Sequence, residues 1–141
     1  MRSFLALVAV LGGCAIVQPP APVSAPAAAP AASIGSAAIA SLVESARADA
    51  AAGKLVNAAA SLERALRIEP RNPRLWQELA RVRLMQGDYG QAESVAARSN
   101  SWAGGDNRLR AENWRLIAQA REARGDAAGA RAALETAERQ R

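Results

Sequence analysis

Residues 76–92 read WQELARVRLMQGDYGQA, and this stretch decides the fold. Apolar residues recur at every third or fourth position on both sides of Gly87-Asp88, which is the spacing of one face of an α-helix. A glycine followed by an aspartate is typical of a helix end that is followed closely by a new helix start. Ala80 and Ala92 are small enough for two helices to touch. The stretch therefore predicts two short helices that pack as a hairpin.

The same pattern occurs once before this stretch and once after it. The repeat that contains the stretch begins at Pro73, an equally long one begins before it at Ile39, and a third begins at Ala111 after four extra residues. The matching positions are Leu42, Ala46, Gly53, Ala58, Leu62, Ala65 and Pro70 in the first repeat, and Trp114, Ile117, Ala118, Gly125, Ala130, Leu134 and Ala137 in the third. The departures from the pattern are Ser45, Ala96 and Ser99. A period of this length predicts a stack of helical hairpins.

This pattern closely resembles the tetratricopeptide repeat, a helix–turn–helix of about 34 residues. The resemblance implies an all-α domain with about six helices in about three repeats, near residues 39–72, 73–106 and 111–141. Three repeats are about the minimum for a stable stack. A generic alanine-rich helical bundle is the alternative, because alanine supplies most of the apolar content and only 4% of the residues are aromatic.

The charge pattern favours ion pairs over a polyanionic partner. The chain of 141 residues has a net charge of +5. Many arginines have a carboxylate three or four positions away on the same predicted helix, which favours intrahelical ion pairs. These pairs are Glu44–Arg47, Glu63–Arg67, Glu78–Arg81, Glu112–Arg115 and Glu135–Arg139. Since no basic run is interleaved with aromatic residues, we expect no nucleic-acid binding.

The N-terminus has the features of a lipoprotein signal. A positive start, Met1-Arg2, precedes an apolar run over residues 3–10 that is too short to span a bilayer, and the run leads to Leu11-Gly12-Gly13-Cys14. This stretch closely resembles the lipobox of bacterial lipoproteins, which implies cleavage before Cys14 and acylation of its thiol, with palmitate as one acyl group. Ala15, in place of aspartate, favours the outer membrane, facing the periplasm, over retention at the inner membrane. An ordinary signal peptide with a chance cysteine is the alternative.

A tether is predicted between the anchor and the folded domain. Five of the seven prolines lie within residues 18–32, and this segment has no charge and no hydrophobic period. Proline disfavours helices and favours an extended, fairly stiff chain. We therefore expect a lipoprotein signal peptide over residues 1–13, a lipidated cysteine with a Pro/Ala-rich disordered tether over 14–35, and the repeat domain over 36–141.

The sequence contains no catalytic constellation. There is no histidine, and the single cysteine is the predicted lipid acceptor. The common nucleophile–base pairs and metal sites of the Cys/His type are therefore excluded. Gly104-Gly105 lacks the residues that follow a phosphate-binding glycine loop. We expect a protein that is not an enzyme, carries no cofactor or metal, and binds another protein.

The resemblance also implies where a partner binds. In tetratricopeptide proteins, the first helix of each hairpin lines a groove. The matching residues in this chain are Val43, Arg47, Arg74, Gln77, Arg81, Leu84, Met85, Arg115, Gln119 and Glu122. Arginine and methionine are enriched in protein interfaces, although solvated arginines and a packed Leu84 are the alternative. Glu44, Glu78 and Leu116 replace residues of the chaperone-type carboxylate clamp, so an acidic C-terminal peptide is not the expected ligand.

Trp102 lies outside the repeat pattern, beside the four-residue insertion near residues 101–107. We expect it to cap the hydrophobic gap between the second and third repeats. An exposed anchor for a partner is the alternative.

The layout of lipobox, tether and short repeat domain resembles the lipoprotein activators of class A penicillin-binding proteins. The segments over residues 65–70 (ALRIEP) and 113–118 (NWRLIA) are the most similar to that group. The resemblance implies an outer-membrane lipoprotein that binds and activates a periplasmic peptidoglycan synthase. The alternative is an assembly scaffold or pilotin-like lipoprotein of an outer-membrane, pilus or secretion complex.

Overall fold

In a computed structural model, the chain is described from residue 29 to residue 140, with side chains from residue 35. The predicted signal peptide, Cys14 and the tether up to residue 28 lie outside these residues. The described part forms six α-helices: α1 (Ala29–Ala51), α2 (Leu55–Ile68), α3 (Pro73–Met85), α4 (Tyr89–Trp102), α5 (Asn107–Ala123) and α6 (Ala127–Glu138). No helix in this part is both long enough and apolar enough to cross a membrane.

The helices pair in chain order as three hairpins, which confirms the predicted tetratricopeptide fold. Gly87 and Gly125 end the first helices of the second and third hairpins with φ of 77° and 84°, a left-handed conformation that glycine adopts without steric cost. Asn72 begins α3, because its side chain accepts hydrogen bonds from the backbone N–H groups of Arg74 and Leu75. Turn and capping residues that are evident in the sequence therefore set the helix boundaries.

Small residues lie at the helix contacts, as the repeat pattern predicts. Ala58, Ala80 and Ala92 are fully buried. One apolar cluster joins the first and second repeats and includes Ile39, Leu62, Leu66, Leu75, Leu79 and Val82. A second joins the second and third repeats and contains Ala80, Ala96, Ile117, Ala118 and Ala133. Leu134 is 47% exposed, because no further hairpin packs on it within the described residues.

α1 begins at Ala29, ahead of the boundary at residue 36 that the sequence suggests. Residues 29–35 are therefore helical, in the segment that the sequence assigns to the tether. Pro30 lies in the first turn, where its missing N–H has no helical acceptor to lose. Alanine is the strongest helix former, so the alanines that follow extend the helix.

The four extra residues before the third repeat, 107–110, lie within α5, whereas the sequence suggests an insertion near residues 101–107. α5 has 17 residues and α3 has 13. Asp106 begins α5 by accepting a hydrogen bond from the N–H of Leu109, and it lies one repeat length after the capping Asn72. Four residues make about one helical turn, so the added turn leaves Ile117 and Ala118 on the buried face.

Ser99, at a position where the pattern expects alanine, belongs to a buried polar contact between the second and third repeats. The fully buried Asn113 donates from Nδ2 to Ser99 Oγ at 2.7 Å and to Asn100 Oδ1 at 2.9 Å. Ser99 Oγ in turn donates to the carbonyl of Pro73 at 2.7 Å. The serine thus has hydrogen-bond partners that account for its burial.

The expectation that Trp102 caps the gap between the second and third repeats is wrong. Its side chain is 41% exposed, and the Arg71 guanidinium lies 5.2 Å from its ring centroid. Arg71 belongs to the loop between α2 and α3, so the ring lies beside the first two repeats. Ala103, which follows at the end of α4, is the residue that turns inward.

Candidate protein-binding groove

The first helices of the three hairpins, α1, α3 and α5, form one continuous face, which we call the groove. Ion pairs link α1 to α3 and α3 to α5 across this face. Two neighbouring depressions lie in the groove and share Glu78 and Arg81 at their boundary. One is apolar and the other is polar, so the groove offers two kinds of contact side by side.

The apolar depression lies between α1 and α3 and has a volume of about 170 Å³. Ala46 and Ala50 are small, and their size leaves the space open. Its apolar lining is Val43, Ala46, Ala50, Leu62, Val82 and Met85. Met85 is 52% exposed at the end of α3. An unbranched thioether side chain adapts to irregular surfaces, so this depression suits an apolar side chain of a partner.

The polar depression lies between α3 and α5 and has a volume of about 330 Å³. Its lining is Arg74, Gln77, Glu78, Arg81, Asp106, Arg108, Leu109 and Glu112. Gln77 is 4% exposed and donates from Nε2 to Glu112 at 3.2 Å. Arg108 also donates to Glu112, at 3.2 Å. This network orients donors and acceptors toward the groove.

Arg47 and Arg81 of the groove pair between helices, so the predicted intrahelical pairing is wrong for them, whereas Arg108 pairs with Glu112 within α5. Arg47 binds Glu78 at 3.0 Å and Arg81 binds Glu112 at 3.5 Å. None of the five predicted pairs is an ion pair within residues 35–140; Arg47 and Arg81 each meet the glutamate of the following hairpin instead. The physical reason is the repeat itself, because Glu78 and Glu112 lie one repeat length apart and occupy equivalent places on successive helices.

Pairing neutralises most of the charge in the groove. The hydrogen bond to Glu78, followed by its charge, raises the pKa of Arg47 above its usual value. Arg74 forms a further pair with Asp106 at 3.0 Å. Exposed pairs of this kind contribute at most about 1 kcal/mol of stability each. They leave a surface of alternating sign, which favours a partner segment that carries both charges.

The structure divides the predicted partner-binding residues into three sets. Val43, Arg47, Arg81 and Met85 line the apolar depression, and Arg74, Gln77 and Arg81 line the polar one. Leu84, Gln119 and Glu122 line neither. Arg115 pairs with Glu138 of α6 at 3.9 Å. Sequence reasoning missed Arg108 and Glu112, although their spacing of one repeat from Arg74 and Glu78 marks both positions.

Comparison with known proteins agrees with this geometry. Fold and groove define an α-helical repeat protein of the protein-interaction type. The tetratricopeptide repeat family matches residues 49–112. A solved structure, the globular C-terminal domain of LpoP from P. aeruginosa, is 50% identical with a TM-score of 0.70, over 71% of this chain and 94% of that chain. The chain belongs to the same tetratricopeptide-repeat family as this domain. No curated protein matches it significantly.

Proposed function

We propose that this chain is an outer-membrane lipoprotein that binds and activates a periplasmic peptidoglycan synthase, a class A penicillin-binding protein, through the groove. The observation that carries the proposal is the 50% identity to the LpoP domain across nearly the whole of that domain. The resemblance of the layout to lipoprotein activators of class A penicillin-binding proteins supports it further.

The groove supplies the chemistry that such binding needs. Its apolar depression accepts an apolar anchor from the partner, and the paired arginines beside it offer donors that are already oriented. Aromatic or aliphatic anchors in a pocket usually dominate the energy of an interface. Activation then requires only that the chain bind the active conformation of the synthase more tightly than the inactive one.

The membrane anchor is the acylated Cys14 in this proposal. Several acyl chains give stable membrane attachment, where one is marginal. A Cys14→Ala variant is expected to lose lipid labelling and to leave the outer-membrane fraction. A Ser3→Ala variant, which changes the signal peptide outside the lipobox, serves as the control. Unchanged membrane fractionation of Cys14→Ala would contradict the anchor.

The test of the function is direct. The chain without residues 1–14 is added to the purified class A synthase of the same organism, and glycan polymerisation and peptide cross-linking are measured. We expect at least one rate to rise with the concentration of the chain and to saturate as the complex forms. The proposal is wrong if neither rate changes and no complex forms at micromolar concentrations.

A further inference from the structure

A second surface runs along the side of the stack that contains the inter-repeat loops and the start of α1. We call it the loop edge and define it by Arg64, Arg67, Ile68, Pro70, Arg71, Arg98 and Trp102. None of its four arginines forms an ion pair within the part of the chain that the structure describes. The groove is different, because its arginines are paired.

Carboxylates offset only part of this charge. Glu63 faces the same side but binds Arg83 at 2.6 Å. Glu69 accepts a hydrogen bond from Asn72 at 2.8 Å. Glu69 keeps its negative charge beside four unpaired arginines, and the loop edge therefore carries a net positive charge.

Apolar side chains are exposed among these arginines. Ile68 is 46% exposed and Trp102 is 41% exposed, and Pro70 borders an open depression together with Ile68 and Arg71. The guanidinium of Arg71 stacks on Trp102, and that of Arg98 lies 5.3 Å from the ring centroid of Trp76. Arginine on tryptophan, next to exposed aliphatic groups, is the side-chain set that lies at membrane–water interfaces.

The chain enters the domain at this same edge. A Cβ at Gly35 of α1 would lie 4.0 Å from Cγ2 of Ile68. Ala38 and Leu42 of α1 border one depression together with Arg64, Arg67 and Ile68. α1 therefore passes beside the loop edge from Gly35 onward, six residues after Ala29, the first described residue, and the predicted lipid site at Cys14 precedes it in the chain.

We infer that the loop edge rests on the surface of an anionic phospholipid membrane, with Trp102 and Ile68 in the interface and the arginines on lipid phosphates. Each basic residue near an anionic leaflet contributes attraction that falls with salt. A chain held to the membrane through its N-terminus meets this surface at high effective concentration, so weak contacts suffice. The apolar depression of the groove shares no residue with the loop edge and stays open to a partner.

The experiment uses the chain without residues 1–14, which retains every described residue and both apolar clusters. Its binding is measured by co-sedimentation with vesicles of phosphatidylcholine, with or without an equal part of phosphatidylglycerol. We expect binding to the anionic vesicles only, weakening as salt is added. An Arg67→Glu/Arg71→Glu variant should bind at least about tenfold more weakly, and Trp102→Ala should also bind more weakly.

The matched control is Lys54→Glu/Arg131→Glu, which makes the same charge change at exposed sites away from the loop edge. It should bind almost as the unaltered chain does. An equal loss in the control would show a general charge effect and overturn the inference. Failure to bind anionic vesicles would also overturn it, and an acidic protein would then be the alternative ligand of the loop edge. The inference rests on the anchor at Cys14 from the proposed function, but the vesicle experiment contains neither that anchor nor a synthase, so its outcome does not depend on activation of the synthase.

Discussion

At the scale of single residues, Ala80 shows how small side chains set the distance between helices. It is fully buried in the cluster between the second and third repeats. A larger side chain there has to push α3 away from its neighbours. The repeat pattern assigns this role to Ala80 because the paired helices touch at that position.

Ala80→Trp is therefore expected to lower the free energy of unfolding by about 1–3 kcal/mol or more, the usual cost of overpacking. Ala97→Trp, at an exposed position of α4, is the control and should change stability little. Urea denaturation followed by circular dichroism measures both. An unchanged midpoint for Ala80→Trp would contradict the assigned repeat positions.

Arg81 lies at the boundary of both depressions and lies near two carboxylates, Glu78 and Glu112. Arg81→Glu removes the ion pair and places like charges together on the groove. We expect activation of the synthase to require roughly tenfold more of this variant, because a desolvated charge contact is lost. Helical content should stay intact. Arg131→Glu makes the same charge change outside the groove and should activate normally; equal loss in both variants would argue against the groove.

At the scale of elements, the helix starts differ in how they are capped. Asp106 accepts a hydrogen bond from the N–H of Leu109 and also pairs with Arg74. Asp88, at the start of α4, makes no side-chain capping bond. Both aspartates precede a helix, but only the Asp106 side chain makes a capping hydrogen bond.

Asp106→Ala should lower the free energy of unfolding by about 1 kcal/mol, the typical cost of removing a capping side chain. Asp88→Ala should cost clearly less. Thermal and urea unfolding of the two variants, compared with the unaltered chain, measure the difference. Equal losses would show that the cap of α5 contributes nothing specific.

The elements also show which features a sequence predicts. The hairpins were predictable, because the alanines at helix contacts and the glycines at turns must recur with the repeat. The length of α5 was not predictable, because Asn107 and Arg108 are as polar as loop residues. The capping Asp106 begins the helix ahead of them. The burial of Asn113 was also not predictable from the sequence, because an asparagine is buried only where partners such as Ser99 accept its hydrogen bonds.

At the scale of the whole molecule, stacking creates the groove. Its candidate residues were predictable in part, since α1 and α3 present Val43, Arg47 and Met85 to one depression. The ion pairs were not, because they join side chains about one repeat apart and depend on how successive hairpins are placed. The spacing along α1 predicts an ion pair between Arg47 and Glu44, whereas in the stacked hairpins Arg47 pairs with Glu78.

The groove and the loop edge lie on different parts of the stack. The arginines of the groove form ion pairs, and the four arginines of the loop edge form none within the described residues. Because the apolar depression and the loop edge share no residue, the proposed membrane contact leaves that depression free for the proposed protein partner. The loop edge also serves as a control surface on the same molecule when binding of the synthase to the groove is tested.

The most direct measurement is site-specific photocrosslinking in cells. A photoreactive amino acid replaces Met85, which is 52% exposed in the groove, or Val56, which is 76% exposed outside its lining. We predict that the chain with the crosslinker at position 85 becomes covalently joined to the class A penicillin-binding protein, and that the chain with it at position 56 does not. Equal crosslinking from both positions, or crosslinking from position 85 to other proteins only, would contradict it.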